Sequence, residues 1–205
     1  MRLDRTIGLL VLVLGLGSLT LFASTAGARS PGTTVCTGDL TASVQGNLDV
    51  PAGATCNNFG PPFSGHAFDV YGDTSVEGSL NSLNAEYHGN VTANGGTVNF
   101  PICFSLICGG GGNRIDGYLS VVNSPGQNHY TGTVLGSISF RNGSGSVDLE
   151  QVSANSIAFT HNANVSLFDL ITNTLLCAGN NPGPIFNRSG SNIGKYAGDQ
   201  CRPPV

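Results

Sequence analysis

Five short segments recur at almost constant spacing between Gly78 and Phe159: Gly78-Ser-Leu-Asn-Ser, Gly96-Thr-Val-Asn-Phe, Gly117-Tyr-Leu-Ser-Val, Gly136-Ser-Ile-Ser-Phe and Asn155-Ser-Ile-Ala-Phe. Their first residues are 18, 21, 19 and 19 positions apart. Each alternates polar and apolar residues for a few positions, the pattern of a strand with one buried face. Strands this short with glycine or asparagine corners suit a sandwich, a propeller blade or a solenoid. The period separates them, because propeller blades repeat at roughly 40–45 residues and leucine-rich repeats add a helix. At about 3.3 Å per residue, 19 extended residues trace roughly 60 Å, enough for three sides of one coil. The expectation is a right-handed parallel β-helix with about 18–19 residues per coil, strand stacked on parallel strand.

In the main register the inward positions are Leu48 and Val50, Val98 and Phe100, Leu119 and Val121, Ile138 and Phe140, and Ile157 and Phe159, with Gly78-Ser-Leu80 a weaker member. A second register lies between them, with Val91 and Ala93, Val147 and Leu149, and Val165 and Leu167. The longest of the four steps holds Cys103 to Cys108 and the run Gly109 to Gly112, which reads as a loop leaving a corner. Tyr118, His129 and Tyr130 are expected at outward or corner positions. No window after Ala28 has the composition and spacing of a long amphipathic helix.

The segment from Met1 to Ala28 reads as a secretory signal peptide. Arg2 and Arg5 precede an apolar run from Ile7 to Phe22, and Ala26-Gly27-Ala28 is a small-x-small cleavage signal. Cleavage is expected after Ala28, leaving a single domain at 29–205 and no membrane span. Removing Arg2, Arg5 and Asp4 leaves six basic and eleven acidic residues, a net charge of about −5 without blocks. That balance argues against nucleic acid or an anionic membrane as partner. All six cysteines lie in the exported part, and in an oxidising compartment an even number reads as disulfides. Six cysteines allow 15 pairings; the sequence-local choice is Cys36–Cys56, Cys103–Cys108 and Cys177–Cys201. A solenoid needs its ends covered, and 29–64 and 177–205, each with a cysteine pair and Pro/Gly-rich stretches, are the expected caps.

The leader, Val35-Cys36-Thr-Gly, the segment 46–56 and the Cys177…Pro182…Cys201 ending resemble a group of small exported actinobacterial proteins with repeated Gly-Asn-Val-x-Val segments. The repeats are also similar to the short parallel β-helix coils of polymer-forming bactofilins, which are cytoplasmic and lack this cysteine framework. The resemblance covers most of 29–205 and implies the architecture, with no catalytic residues attached.

Chemistry is sparse along the chain. G-x-S-x-G, H-E-x-x-H and P-loop motifs are all missing, and no cysteine or histidine cluster has metal-ligand spacing. No cofactor or metal is expected. His66, His88, His129 and His161 stand far apart and read as surface or corner residues. Asp116 beside Arg114 is one charged group. Asp148 and Glu150, alternating on one strand some 6–7 Å apart with Arg141 seven positions back, are another, and could serve glycoside cleavage. A solvated outer face is the blander reading of these carboxylates and the preferred one. The sequence therefore points to a non-catalytic exported module for structure, adhesion or binding. Its partners would be an envelope glycan or protein, or another copy through the coil ends. A polysaccharide-cleaving enzyme using Asp148, Glu150 and Arg141 is the alternative.

Overall fold

Alternating side chains in short runs bounded by glycine and asparagine do build strands, and only strands. The computed structural model describes residues 32–59, 67–101, 112–187 and 191–201. Among them are fifteen strands and no helix. The first ten are short: β1 (Thr33–Val35), β2 (Asn47–Val50), β3 (Thr55–Asn58), β4 (Thr74–Val76), β5 (Ser79–Ser82), β6 (Glu86–Tyr87), β7 (Val91–Asn94), β8 (Thr97–Phe100), β9 (Asn113–Ile115) and β10 (Leu119–Val122). Three 14-residue strands follow, β11 (Asn128–Arg141), β12 (Val147–Thr160) and β13 (Val165–Ala178), and then β14 (Ile185–Asn187) and β15 (Asn192–Ala197).

All the strand pairings are parallel, and they form three ladders. The first runs β1-β2-β4-β7-β10 and continues through the ends of β11, β12 and β13 into β15. The second runs β3-β5-β8 and continues through the starts of β11, β12 and β13 into β14. The third joins β6 and β9 to the middles of β11, β12 and β13. Each long strand therefore serves all three ladders, and β11 and β12 change register between Tyr130 and Gly132 and between Val134 and Ser137. An all-β, parallel, many-stranded arrangement of this kind is compatible with a solenoid.

Late in the first ladder Leu119 pairs with Ile138, Ile138 with Ile157 and Ile157 with Leu175, an almost constant step. Earlier the steps are uneven: 26 from Leu48 to Thr74, 17 from Thr74 to Val91, and 28 from Val91 to Leu119. This corrects the expected register. Val98 and Phe100 do not stack with Leu119 and Val121. Val98 pairs with Leu80, and Phe100 pairs with Tyr130, which leads on to Leu149. Val91, grouped with Val147 in the second register, lies on the first ladder instead, between Thr74 and Leu119. Of the five recurring segments, the first two belong to the second ladder and the last three to the first. The alternating pentapeptide is the same on both ladders, so the 30-residue step from Phe100 to Tyr130 changes the phase while the pentapeptides themselves stay only 21 apart.

The inward side chains make one continuous core, with Leu48, Leu80, Phe100, Leu119, Ile138, Ile157 and Leu175 all buried. Phe140 stacks on Phe159 at 5.7 Å. Tyr118 is exposed, as the alternation predicts. Tyr130, expected outward, is fully buried: it alternates with outward His129 and joins the stack Tyr87–Phe100–Tyr130 at 5.3 and 5.6 Å. The first-ladder strands end in left-handed corners at Gly95, Asn123, Asn142, His161, Gly179 and Gly198, where glycine and asparagine are least strained. Just beyond these corners a buried amide chain holds successive turns of the chain together. Asn162 accepts from the Gly143 amide and donates to the Phe140 carbonyl. Asn180 accepts from the Asn162 amide and donates to the Phe159 carbonyl, while Gln200 accepts from the Asn180 amide.

Disulfides Cys36–Cys56 and Cys177–Cys201 form as the local spacing predicts, one near each end. Both segments expected as caps contribute strands to the sheet: β1, β2 and β3 lie within 29–64, and β14 and β15 within 177–205. The expected signal peptide, His66, the Cys103–Cys108 pair and Gly109 to Gly111 lie outside the described residues.

Candidate functional site

Outward side chains in a parallel ladder repeat at the strand spacing, about 4.8 Å, so residues far apart in sequence line up in rows. On the second ladder one row is formed by Asp39, Asn57, Asn81, Asn99, His129 and Asp148, all joined in register. Its amides are tied together. Asn57 donates to the Asp39 carboxylate at 2.8 Å, Asn81 to Asn57 at 2.9 Å, and Asn99 to Asn81 at 3.3 Å. A hydroxyl row runs alongside, with Thr97 donating to Ser79 at 3.0 Å. Gln127 then donates to Asp148 at 3.1 Å. A shallow groove of about 350 Å³ lies over these rows, with Pro101, Gln127 and His129 at one end.

Charge converges elsewhere, on the third ladder. Register places Tyr87 between Val70 and Ile115, so its neighbour His88 falls between Tyr71 and Asp116. His88 Nδ1 is 2.9 Å from Asp116 Oδ2, and Arg114 Nε donates to Asp116 Oδ1 at 2.7 Å. Glu86 lies 4.0 Å from His88 Nε2, and the Tyr71 ring stacks on the imidazole at 4.7 Å. The hydrogen bond from Arg114, then that from His88, holds the Asp116 carboxyl below the usual carboxylate range. The carboxylate in turn raises the Arg114 guanidinium. Asp116 fixes the imidazole from one side and the tyrosine ring from another, which leaves a positioned titratable group at the surface. Deeper in the core, burial pushes the Tyr87 hydroxyl up to about 12, so it stays neutral there.

Asp148 and Glu150 do share the outer side of β12, alternating with buried Val147 and Leu149. Asp148 is engaged by Gln127, and Glu150 pairs in register with Phe168. Arg141 is exposed at the far end of β11, between Val122 and Thr160 on the first ladder. Ion pairs among the described residues involve only Glu86, His88, Arg114 and Asp116, so Arg141 joins neither carboxylate. Sequence reasoning finds Arg114 with Asp116 and misses Glu86, His88 and Tyr71 as their company. The signal is present as two x-spaced pairs, Glu86-x-His88 and Arg114-x-Asp116, but the distance between them along the chain matches no expected coil. The amide row is partly visible, since Asn81 and Asn99 hold the same place in two recurring segments 18 apart, but Asn57 lies 24 before Asn81 and joins them only once the register is known. No family model, curated protein or solved structure matches the chain.

Proposed function

We propose that this chain is an exported, non-catalytic module of the cell envelope or extracellular space that binds a partner along its outer ladders. Its architecture in this reading is a right-handed parallel β-helix of about 18–19 residues per coil, lengthened in two coils by insertions. One observation carries the proposal. The register brings side chains from six ladder positions into one row, a surface suited to a long repeating partner. Disulfides near both ends support export to an oxidising compartment. An envelope glycan or protein is the partner this reading favours. Self-association through the coil ends would use the edge strands β1 and β15.

Polysaccharide cleavage is the second reading. It is favoured by the His88–Asp116 pair, an imidazole held by a carboxylate as general acid–base chemistry requires. Asp148 and Glu150 remain its other carboxylates. A glycan array read together with a product assay separates the two. Retention of a glycan without product supports the binding module. Turnover that disappears in His88→Ala or in Asp148→Ala overturns it.

A further inference from the structure

The row on the second ladder has a chemistry narrow enough to name its ligand. Asparagine offers two N–H donors and a carbonyl with two lone pairs. The bonds along Asn57, Asn81 and Asn99 use one N–H and one lone pair of each link. What remains at each level is a donor and an acceptor side by side, held at a fixed height by the ladder. Beside each amide stands a hydroxyl or amide from the neighbouring row: Thr55, Ser79, Thr97 and Gln127. Main-chain groups are not on offer in the middle of this face, because β5 is paired on both sides, to β3 and to β8. A peptide strand therefore cannot add here, and recognition falls to side chains alone.

We infer that this row is a track for an extended, uncharged, β-linked polysaccharide lying across the strands. This rests on the binding-module reading and names its ligand class. Flat β-linked chains of pyranose rings advance by close to one strand spacing per sugar, so successive sugars fall at successive levels, with alternate rings turned over and presenting opposite edges. Ring hydroxyls, and in chitin-type chains the acetamido group, are each donor and acceptor and so suit the paired amide and hydroxyl at each level. The centre of the row carries no charge, and its carboxylates, Asp39 and Asp148, stand at the two ends. Acidic glycans would place negative charge against those ends on a chain of net charge −4. Pro101 and the His129 ring add flat surface for the sugar C–H face at one end of the groove.

Titration of the disulfide-bonded chain with cellohexaose and chitohexaose tests this, with hexagalacturonate and an α-linked dextran oligosaccharide as comparators. Affinity is expected to rise with length from two sugars to six, and both comparators are expected to fail. Asn99→Ala and Gln127→Ala should each weaken hexasaccharide binding about 5-fold, the loss of one direct hydrogen bond. Thermal melting checks that each variant is folded, and His129→Gln, which keeps a polar side chain outside the amide ladder, replaces any that is not. Absence of binding by both β-linked hexasaccharides overturns the track, as does equal binding of hexagalacturonate or dextran, or unchanged affinity in folded variants. If the track falls while the chain is still retained by isolated cell wall, the binding-module reading survives. If a glycan is cleaved, and cleavage is lost in His88→Ala, that reading falls instead.

Discussion

The stretch from Asn128 to Ala178 and the stretch from Thr33 to Val122 are built to the same plan and behave differently. In the later stretch three 14-residue strands each run through all three ladders, and first-ladder partners advance evenly from Ile138 to Ile157 to Leu175. In the earlier stretch strands are two to four residues long, and the steps swing between 17 and 28. Every ion pair among the described residues lies in the earlier stretch, as does every bonded link of the amide row from Asp39 to Asn99. The later stretch keeps Asn162 in a buried corner, and Asn180 follows just beyond that stretch, both bonding the backbone of neighbouring segments. The regular half stacks long strands at an even step, and the irregular half holds the charged cluster and the bonded amide row.

The largest effect should come from breaking the regular half at its core. Phe159 is fully buried and stacked on Phe140, so Phe159→Ala should cost about 3–5 kcal/mol in denaturant unfolding. A loss under about 1 kcal/mol would show that the stacked rings are not what holds this half together. A smaller but specific loss is expected from Asn162→Ala. It leaves the Gly143 amide and the Phe140 carbonyl without their side-chain partner in a buried corner, for about 1–3 kcal/mol. Asn162→Asp should be no better, since a carboxylate cannot donate to the Phe140 carbonyl and would be buried as a charge.

The smallest effect belongs to the irregular half and shows only with pH. Asp116 has a depressed carboxyl pKa in the folded chain, so the stability it contributes is present above the unfolded value of about 3.9. That contribution is lost as pH falls through the folded value. Melting temperatures measured from pH 7 down to pH 2 should therefore fall less steeply in Asp116→Asn than in the unaltered chain. Parallel curves would mean that the Glu86–His88–Arg114–Asp116 cluster contributes nothing to holding this half together.

Much of the architecture is legible in the residues. Inward parity at Leu119 and Val121, at Ile138 and Phe140, and at Ile157 and Phe159 is as the alternation predicts, and so are the two described disulfides. The candidate sites are less legible. Tyr130 closely follows the turn-forming Ser124-Pro-Gly-Gln-Asn128 and is expected outward or at a corner, yet the strand starts at Asn128 and parity sends the ring inward. The buried asparagines at 162 and 180 look like ordinary corner residues until their partners one turn away are known. Asp148, Glu150 and Arg141 draw attention by closeness in sequence, but Arg141 belongs to another ladder.

The amino-acid sequence by itself determined which residues of the recurring segments point inward, that glycine and asparagine mark the corners, and that the short strands stack in parallel. Those are local matters, decided by side-chain alternation, by backbone sterics and by the length of chain in one turn. Tertiary structure alone decided which segment lies on which ladder, and with it which outward side chains become neighbours. Register between parallel strands depends on how much chain an insertion consumes before the next strand docks, and a period of two looks the same on every ladder. The five recurring segments are thus members of two ladders, and the link from Asn57 to Asn81 and the charged cluster span steps of 24 and 28 residues that the repeat does not announce.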